Sequence, residues 1–312
     1  MANSTDRSEQ LKRLSPTKRE LLVRAMREEA ARRGVARRPA RGPLVEIQPR
    51  GTRPPFFCVH PSGGNVLCYA ALSRHLGAAQ PFYGLQARGL DGASAPLTRV
   101  EEMAAQYVGE VRRVACGRPV FLGGWSMGGV VAFEMARQLR ALGGEVALLA
   151  LIDSRVAPRA GAPAQEDDDV TLLLGLARDL GLAPEEFGLT REELLPLSPD
   201  GQLAAILSRV DESHRLLSGL GIEAVRRMFD VFKSNLRALR GYAPQVYAGR
   251  VTLFRAAERG EWGPPGGTMS WDAWAAGGVQ TCPVPGDHYT MMREPHVRVL
   301  AENLARHLAR AA

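Results

Sequence analysis

The sequence predicts an α/β fold: a mainly parallel sheet with helices on both faces and an all-helical insertion late in the chain. Three observations predict it. From residue 55 onward, short apolar runs alternate with amphipathic helical patterns, the order that builds parallel strands joined by crossover helices. Residues 166–240 break this alternation with pieces such as VTLLLGLARDLGL and GIEAVRRMFDVFKSNLRAL and almost no strand pattern. Composition is ordinary for a packed chain, 45% hydrophobic and 23% charged over 312 residues, and no apolar run reaches the roughly 18 residues of a spanning helix.

Each element follows from its residues. Residues 1–14 are polar and predict no structure. Ser15-Pro16 opens a helix, with a capping hydroxyl and proline at the first helical position. Leu21, Leu22, Ala25, Met26 and Ala30 give that helix one apolar stripe, and Gly34 is its stop. ARRPARGPL (36–44) is Pro/Arg-rich and reads as a linker, so residues 1–44 form an N-terminal arm and 45–312 the folded domain. PFFCVHP is a buried strand, Leu67 to Leu76 a helix, PFYGLQA a strand and 99–115 an amphipathic helix. PVFLGGW and VALLALID are strands bracketing a helix from Gly128 to Leu142. VTLFRAA and GVQTCPVPG are later strands, and a helix from about Glu294 to Arg310 closes the chain. The insertion, about 163–240, follows a strand that ends in a candidate site residue, which suits a lid; a scaffolding extension is the plainer alternative.

Charge narrows the function. The net charge of +7 lies in the arm: residues 1–50 hold 13 Lys and Arg against 6 Asp and Glu, and the remaining 262 residues hold 27 of each. A neutral domain argues against nucleic-acid binding, and the three lysines, Lys12, Lys18 and Lys233, point to an Arg-biased composition more than to a binding surface. Cys58, Cys68, Cys116 and Cys282 show neither CxxC spacing nor the density of a disulfide framework. The N-terminus lacks the apolar core of a secretory signal. These features predict a cytoplasmic protein with no metal site.

The chemistry centres on Gly124-Trp125-Ser126-Met127-Gly128, a G-x-S-x-G pentapeptide between the strand PVFLGG and the helix GVVAFEMARQL. A strand-to-helix elbow needs small residues, here Gly124 and Gly128, where backbone crowds, and it lifts the serine hydroxyl to the positive end of the next helix. A serine nucleophile needs a base, and the base an orienting acid. In the order Ser, acid, His, the acid is Asp153 at the end of VALLALID, with Glu258 after VTLFRAA as competitor. Taken alone, an Asp at a strand end is as readily a cap or loop residue. The base is His288 in the Gly-containing loop VPGDHYTMM; His60 and His75 precede the serine, His296 and His307 lie on or near the last helix, and His214 is also a poorer match. An oxyanion hole would combine the backbone N–H of Met127 with one from His60-Pro61-Ser62-Gly63-Gly64, where Gly63 and Gly64 let backbone approach a substrate.

HPSGG, FYGLQARGLDG, EEMAAQYVGEVR, FLGGWSMGGVVAFEMARQL, VALLALIDS, YAPQVYAGRVTLFRA and VPGDHYTMMREPHV occur in that order over about residues 45–310. Together they resemble the thioesterase domains that end nonribosomal peptide and polyketide assembly lines. The resemblance implies an α/β-hydrolase fold with a helical lid and a Ser126–His288–Asp153 triad. Ser62 and Met127 match the oxyanion donors. It implies no cofactor of the domain's own: the acyl, peptidyl or polyketide chain arrives on the phosphopantetheine arm of a carrier protein and leaves by hydrolysis or macrocyclisation. LQARGLDG resembles the product-releasing type, whereas editing thioesterases carry a PGR-type segment there. The alternatives are an editing thioesterase acting in trans, a general serine esterase, and a non-catalytic binding module of the same fold. Carrier proteins of this kind are usually acidic, so the basic arm would steer them; tethering is its plainer role.

Overall fold

The computed structural model describes residues 42–155, 168–182, 190–209, 221–258 and 271–311. The expected helix from Ser15, most of the 36–44 linker, and parts of the 163–240 insertion lie outside the described residues. Among those described, seven strands form one sheet in the order β1-β3-β2-β4-β5-β6-β7. They are β1 (Leu44–Gln48), β2 (Phe56–Val59), β3 (Phe82–Leu85), β4 (Val120–Trp125), β5 (Val146–Ile152), β6 (Val251–Ala256) and β7 (Val279–Val284). Every pairing is parallel except β1 with β3, where Leu44 faces Leu85. β1 begins on the last residue of the predicted linker, a strand that the sequence pattern does not predict. All four residues of β2 and all six of β4 are buried, as expected for parallel strands covered on both faces.

Helices cover the two faces. On one side pack α2 (Val100–Ala115) and α3 (Met127–Ala141), whose Val100, Met103, Tyr107, Val130 and Phe133 meet Phe57, Leu122 and Leu149 of the sheet. α2 places Glu101 and Glu102 in its first turn and Arg112 and Arg113 in its last, matching the helix dipole. On the other side α1 (Ala70–Leu76) and α8 (His296–Ala311) bury Leu72, Val297, Leu300 and Leu304 against Phe56, Phe121 and Ile152. This is the α/β-hydrolase arrangement that the sequence implies.

The described part of the insertion is helical: α4 (Asp169–Asp179), α5 (Arg191–Leu194), α6 (Pro199–Arg209) and α7 (Ile222–Gly241). Asp168 caps α4 by accepting the N–H groups of Val170 and Thr171, and a Thr190–Glu193 capping box starts α5. The insertion has its own apolar cluster, with Leu173, Leu176, Leu194, Ile206, Phe229 and Phe232. Farther along α7, Ala238 and the adjoining Tyr242 belong instead to the cluster under the sheet.

Candidate active site

The site is built at the carboxyl ends of β4, β5 and β6. Ser126 sits between β4 and α3 with φ 58° and ψ −126°, a backbone conformation that L side chains rarely adopt. The sharp turn explains its glycines. A Cβ on Gly124 would collide with the backbone of Gly128, and one on Gly128 would strike the carbonyl oxygens of Val59 and His60. The Ser126 N–H donates to Ile152 O at 2.9 Å, which ties the elbow to the last residue of β5. Ser126 is 4% exposed.

Asp153 follows directly after β5, also at positive φ (41°), and its N–H donates to Phe254 O of β6 at 2.7 Å. Its Oδ2 lies 2.7 Å from His288 Nδ1, and its Oδ1 accepts the Ala256 N–H at 3.1 Å. Burial opposes ionisation of this carboxyl, yet the His288 bond and charge and the Ala256 N–H together hold it below the usual carboxylate range. Glu258, the competing acid, is exposed, and its backbone N–H bonds Gly286 O at 3.0 Å. The structure thus joins His288 to Asp153.

His288 is held from the elbow side. Trp125, the residue before Ser126, donates its indole N–H to the His288 carbonyl at 3.0 Å, and the two rings lie 5.1 Å apart. Tyr69 links the same elements: its hydroxyl donates to Val59 O and accepts the Trp125 N–H at 2.9 Å. Sequence reasoning missed both aromatic residues, because nothing local marks a tryptophan or tyrosine as a brace between distant segments.

The 60–64 turn lies against this elbow. His60 is a buried structural residue: its Nδ1 is 2.7 Å from Pro61 O and its Nε2 2.8 Å from the Tyr107 hydroxyl, and burial pushes its pKa down to about 4. The Gly64 N–H closes the turn on Pro61 O at 2.9 Å. Ser62 is 5% exposed. Met127 opens α3, so its N–H belongs to the first turn, where no intrahelical acceptor is available. Of the remaining histidines, His75 bonds Glu294, His307 lies 3.3 Å from Cys282 Sγ, His296 begins α8, and His214 is outside the described residues.

A cavity of about 160 Å³ opens beside Trp125 and Tyr289, under α4, with Asn65, Cys68, Asp179 and Met292 in its wall. That is the size of a void that holds a benzene ring. Burial pushes the Asp179 carboxyl up to about 7, against the opposing pull of the Gly63 N–H. Among the described residues no group of His, Cys, Asp and Glu is arranged to hold a metal ion, and no helix is long and apolar enough to cross a membrane.

Residues 54–310 match the thioesterase domain family. A dimodular nonribosomal peptide synthase of Bacillus subtilis is 32% identical over 263 residues, covering 84% of this chain and 11% of the synthase. Chondramide synthase of Chondromyces crocatus is 30% identical over 294 residues, covering 92% of this chain and 7% of its own. The chain therefore spans about a tenth or less of the length of these two relatives. Among solved structures, a four-domain nonribosomal peptide synthetase aligns over 89% of this chain and 21% of its own with 30% identity and a TM-score of 0.76. The NocB thioesterase domain, solved as a covalent complex with a fluorophosphonate nocardicin G analogue, aligns over 85% of this chain and 99% of its own at 27% identity and a TM-score of 0.60. The chain belongs to the thioesterase domain family, serine hydrolases of the α/β-hydrolase fold carried by nonribosomal peptide synthetases.

Proposed function

We propose that this domain takes an acyl, peptidyl or polyketide chain from the phosphopantetheine thioester of a carrier protein onto Ser126 and releases it. The Asp153–His288 bond of 2.7 Å, beside a serine held on a strained elbow, is the observation that carries this reading. His288 accepts the Ser126 hydroxyl proton as Oγ bonds to the thioester carbonyl carbon. The C–S bond then breaks, and the imidazolium returns the proton to the departing pantetheine sulfur. Asp153 fixes the imidazole tautomer and stabilises the imidazolium, and the backbone N–H groups of Ser62 and Met127 hold the tetrahedral oxyanion. In the second half His288 deprotonates the releasing nucleophile. Water gives the free acid; a hydroxyl or amine of the chain itself gives a lactone or lactam. The helical insertion serves as the lid that governs water access.

The LQARGLDG segment and the synthase relatives favour product release over editing. The test is intact-mass spectrometry after mixing with a synthetic acyl thioester of N-acetylcysteamine. An acyl adduct on Ser126, absent from Ser126→Ala, is the expected result. Neither an acyl adduct nor fluorophosphonate labelling of Ser126 would leave a binding module of the same fold.

A further inference from the structure

The peptide unit between Ser62 and Gly63 is gripped at both ends by the helical insertion. Its carbonyl, on Ser62, accepts Asn235 Nδ2 of α7 at 2.8 Å. Its N–H, on Gly63, donates to Asp179 Oδ2 of α4 at 2.7 Å. The next residue, Gly64, has φ 80°, and a Cβ there would lie 2.6 Å from Val231 Cγ1 of α7. Two helices of the insertion thus touch three successive residues of one turn.

Asn235 is out of place for a packing role. It is 1% exposed on the stripe of α7 that carries Met228, Val231, Phe232 and Ala238, where an apolar side chain would pack without a polar group to satisfy. Its amide N–H group donates to the Ser62 carbonyl. A peptide unit is planar and rigid, so holding its C=O and N–H together orients the whole 62–63 unit on one side of the Ser62 Cα. The unit on the other side carries the Ser62 N–H, the oxyanion donor of the proposed function, and its Pro61 O accepts the Gly64 N–H at 2.9 Å and lies 2.7 Å from His60 Nδ1; with both units held, φ and ψ of Ser62 are set together.

We infer that Asn235 and Asp179 are positioning residues that set the direction of the Ser62 N–H, so that the seated insertion completes the oxyanion hole. The inference rests on the assignment of Ser62 as a donor. It makes the insertion part of the catalytic apparatus as well as a cover: when α4 and α7 lift from the turn, the donor loses its alignment.

Because the donor acts on charge that develops in the transition state, the effect belongs in kcat and not in KM. Losing one such donor costs about 10²–10³-fold, so loosening it is expected to lower kcat about 10–100-fold. The experiment compares Asn235→Leu, Asp179→Ala and Asp179→Asn with wild type on a synthetic acyl thioester, with fluorophosphonate labelling of Ser126 followed by intact mass. Asn235→Leu and Asp179→Ala should lose kcat with KM within about twofold, while Asp179→Asn keeps most of the rate because its amide oxygen still accepts the Gly63 N–H. Unchanged kcat in the first two, a change confined to KM, or Asp179→Asn as slow as Asp179→Ala would overturn the inference. The two Asp179 variants decide the matter alone if Asn235→Leu does not fold. An unlabelled Ser126 in the wild type would instead sink the underlying reading; a labelled Ser126 with fully active variants sinks only the positioning role.

Discussion

Trp125 donates its indole N–H to the backbone carbonyl of His288 at 3.0 Å, so the residue before Ser126 fastens the loop that carries the imidazole. The two segments are 163 residues apart in the chain, and this bond ties them together beside the Trp125–His288 and Trp125–Tyr289 ring contacts. Trp125→Phe keeps a ring against His288 and removes the donor. We expect a stability loss of about 1–3 kcal/mol in urea unfolding, the cost of taking a partner from a buried carbonyl, together with a lower kcat. An unchanged kcat would mean that the imidazole keeps its place without this bond.

Ser126→Ala and Ser126→Gly should both abolish turnover, since the other hydroxyl against the elbow, that of Ser154, is buried and turned to the carbonyls of Gly124 and Ile152. They should differ in stability. The alanine keeps the strained positive φ of 58°, whereas glycine adopts it freely, recovering part of the roughly 1–3 kcal/mol such strain costs. Thermal unfolding is expected to place the glycine variant above the alanine variant by a few degrees. Turnover above about a thousandth of wild type in either would argue against Ser126 as the nucleophile.

Asp153→Asn should lower kcat by about 10³–10⁴-fold, because an amide favours the wrong imidazole tautomer. Glu258→Gln, an exposed position, should leave kcat within about threefold. Steady-state rates on one soluble thioester decide between them, and the reverse ranking would move the acid to the end of β6.

Asp179 gives a pH signature of stability. Burial raises its folded pKa from 3.8 to about 7. Between those values the folded chain holds a proton that the unfolded chain has released, so stability falls as pH rises through the window and the penalty is complete above it. Asp179→Asn has no such proton to lose. Urea midpoints measured from pH 4 to 8 should show the variant gaining on wild type as pH rises, with the difference levelling off above pH 7. A flat difference would mean that Cys68, Arg178 and Arg293, which line the same cavity, have adjusted to carry the ionised carboxylate.

What the sequence made legible follows from how local each constraint is. The elbow was readable because Gly124, Ser126 and Gly128 answer to steric demands set within five residues. The strands β2 and β4 were readable because burial on both faces leaves unbroken apolar runs. β1 was missed: it is a five-residue edge strand bonded to β3 alone, it follows a Pro/Arg-rich stretch, and Glu46 interrupts its apolar character. The acid could not be settled from sequence, since Asp153 and Glu258 both follow strand ends and only three-dimensional placement brings one of them to His288. Asn235 left a faint signal, an amide on an apolar helical stripe, but its partner lies 173 residues away. Asp179 bonds Gly63 from 116 residues away and left none.

The helix α7 belongs to two apolar clusters at once, with Phe229 and Phe232 in that of the insertion and Ala238, followed by Tyr242, in that under the sheet. A continuous helix passing from one cluster into the other makes the insertion a poor candidate for an independent folding unit. Melting its second half uncovers side chains on which α3 and the sheet rest, so that half shares the cooperativity of the whole domain, while α4 to α6 can open at lower cost. Grafting the insertion from a relative to change selectivity would therefore succeed at a junction ahead of Asn235 and fail at one placed after Tyr242, where the transplanted segment would bring a foreign piece of the host's own core.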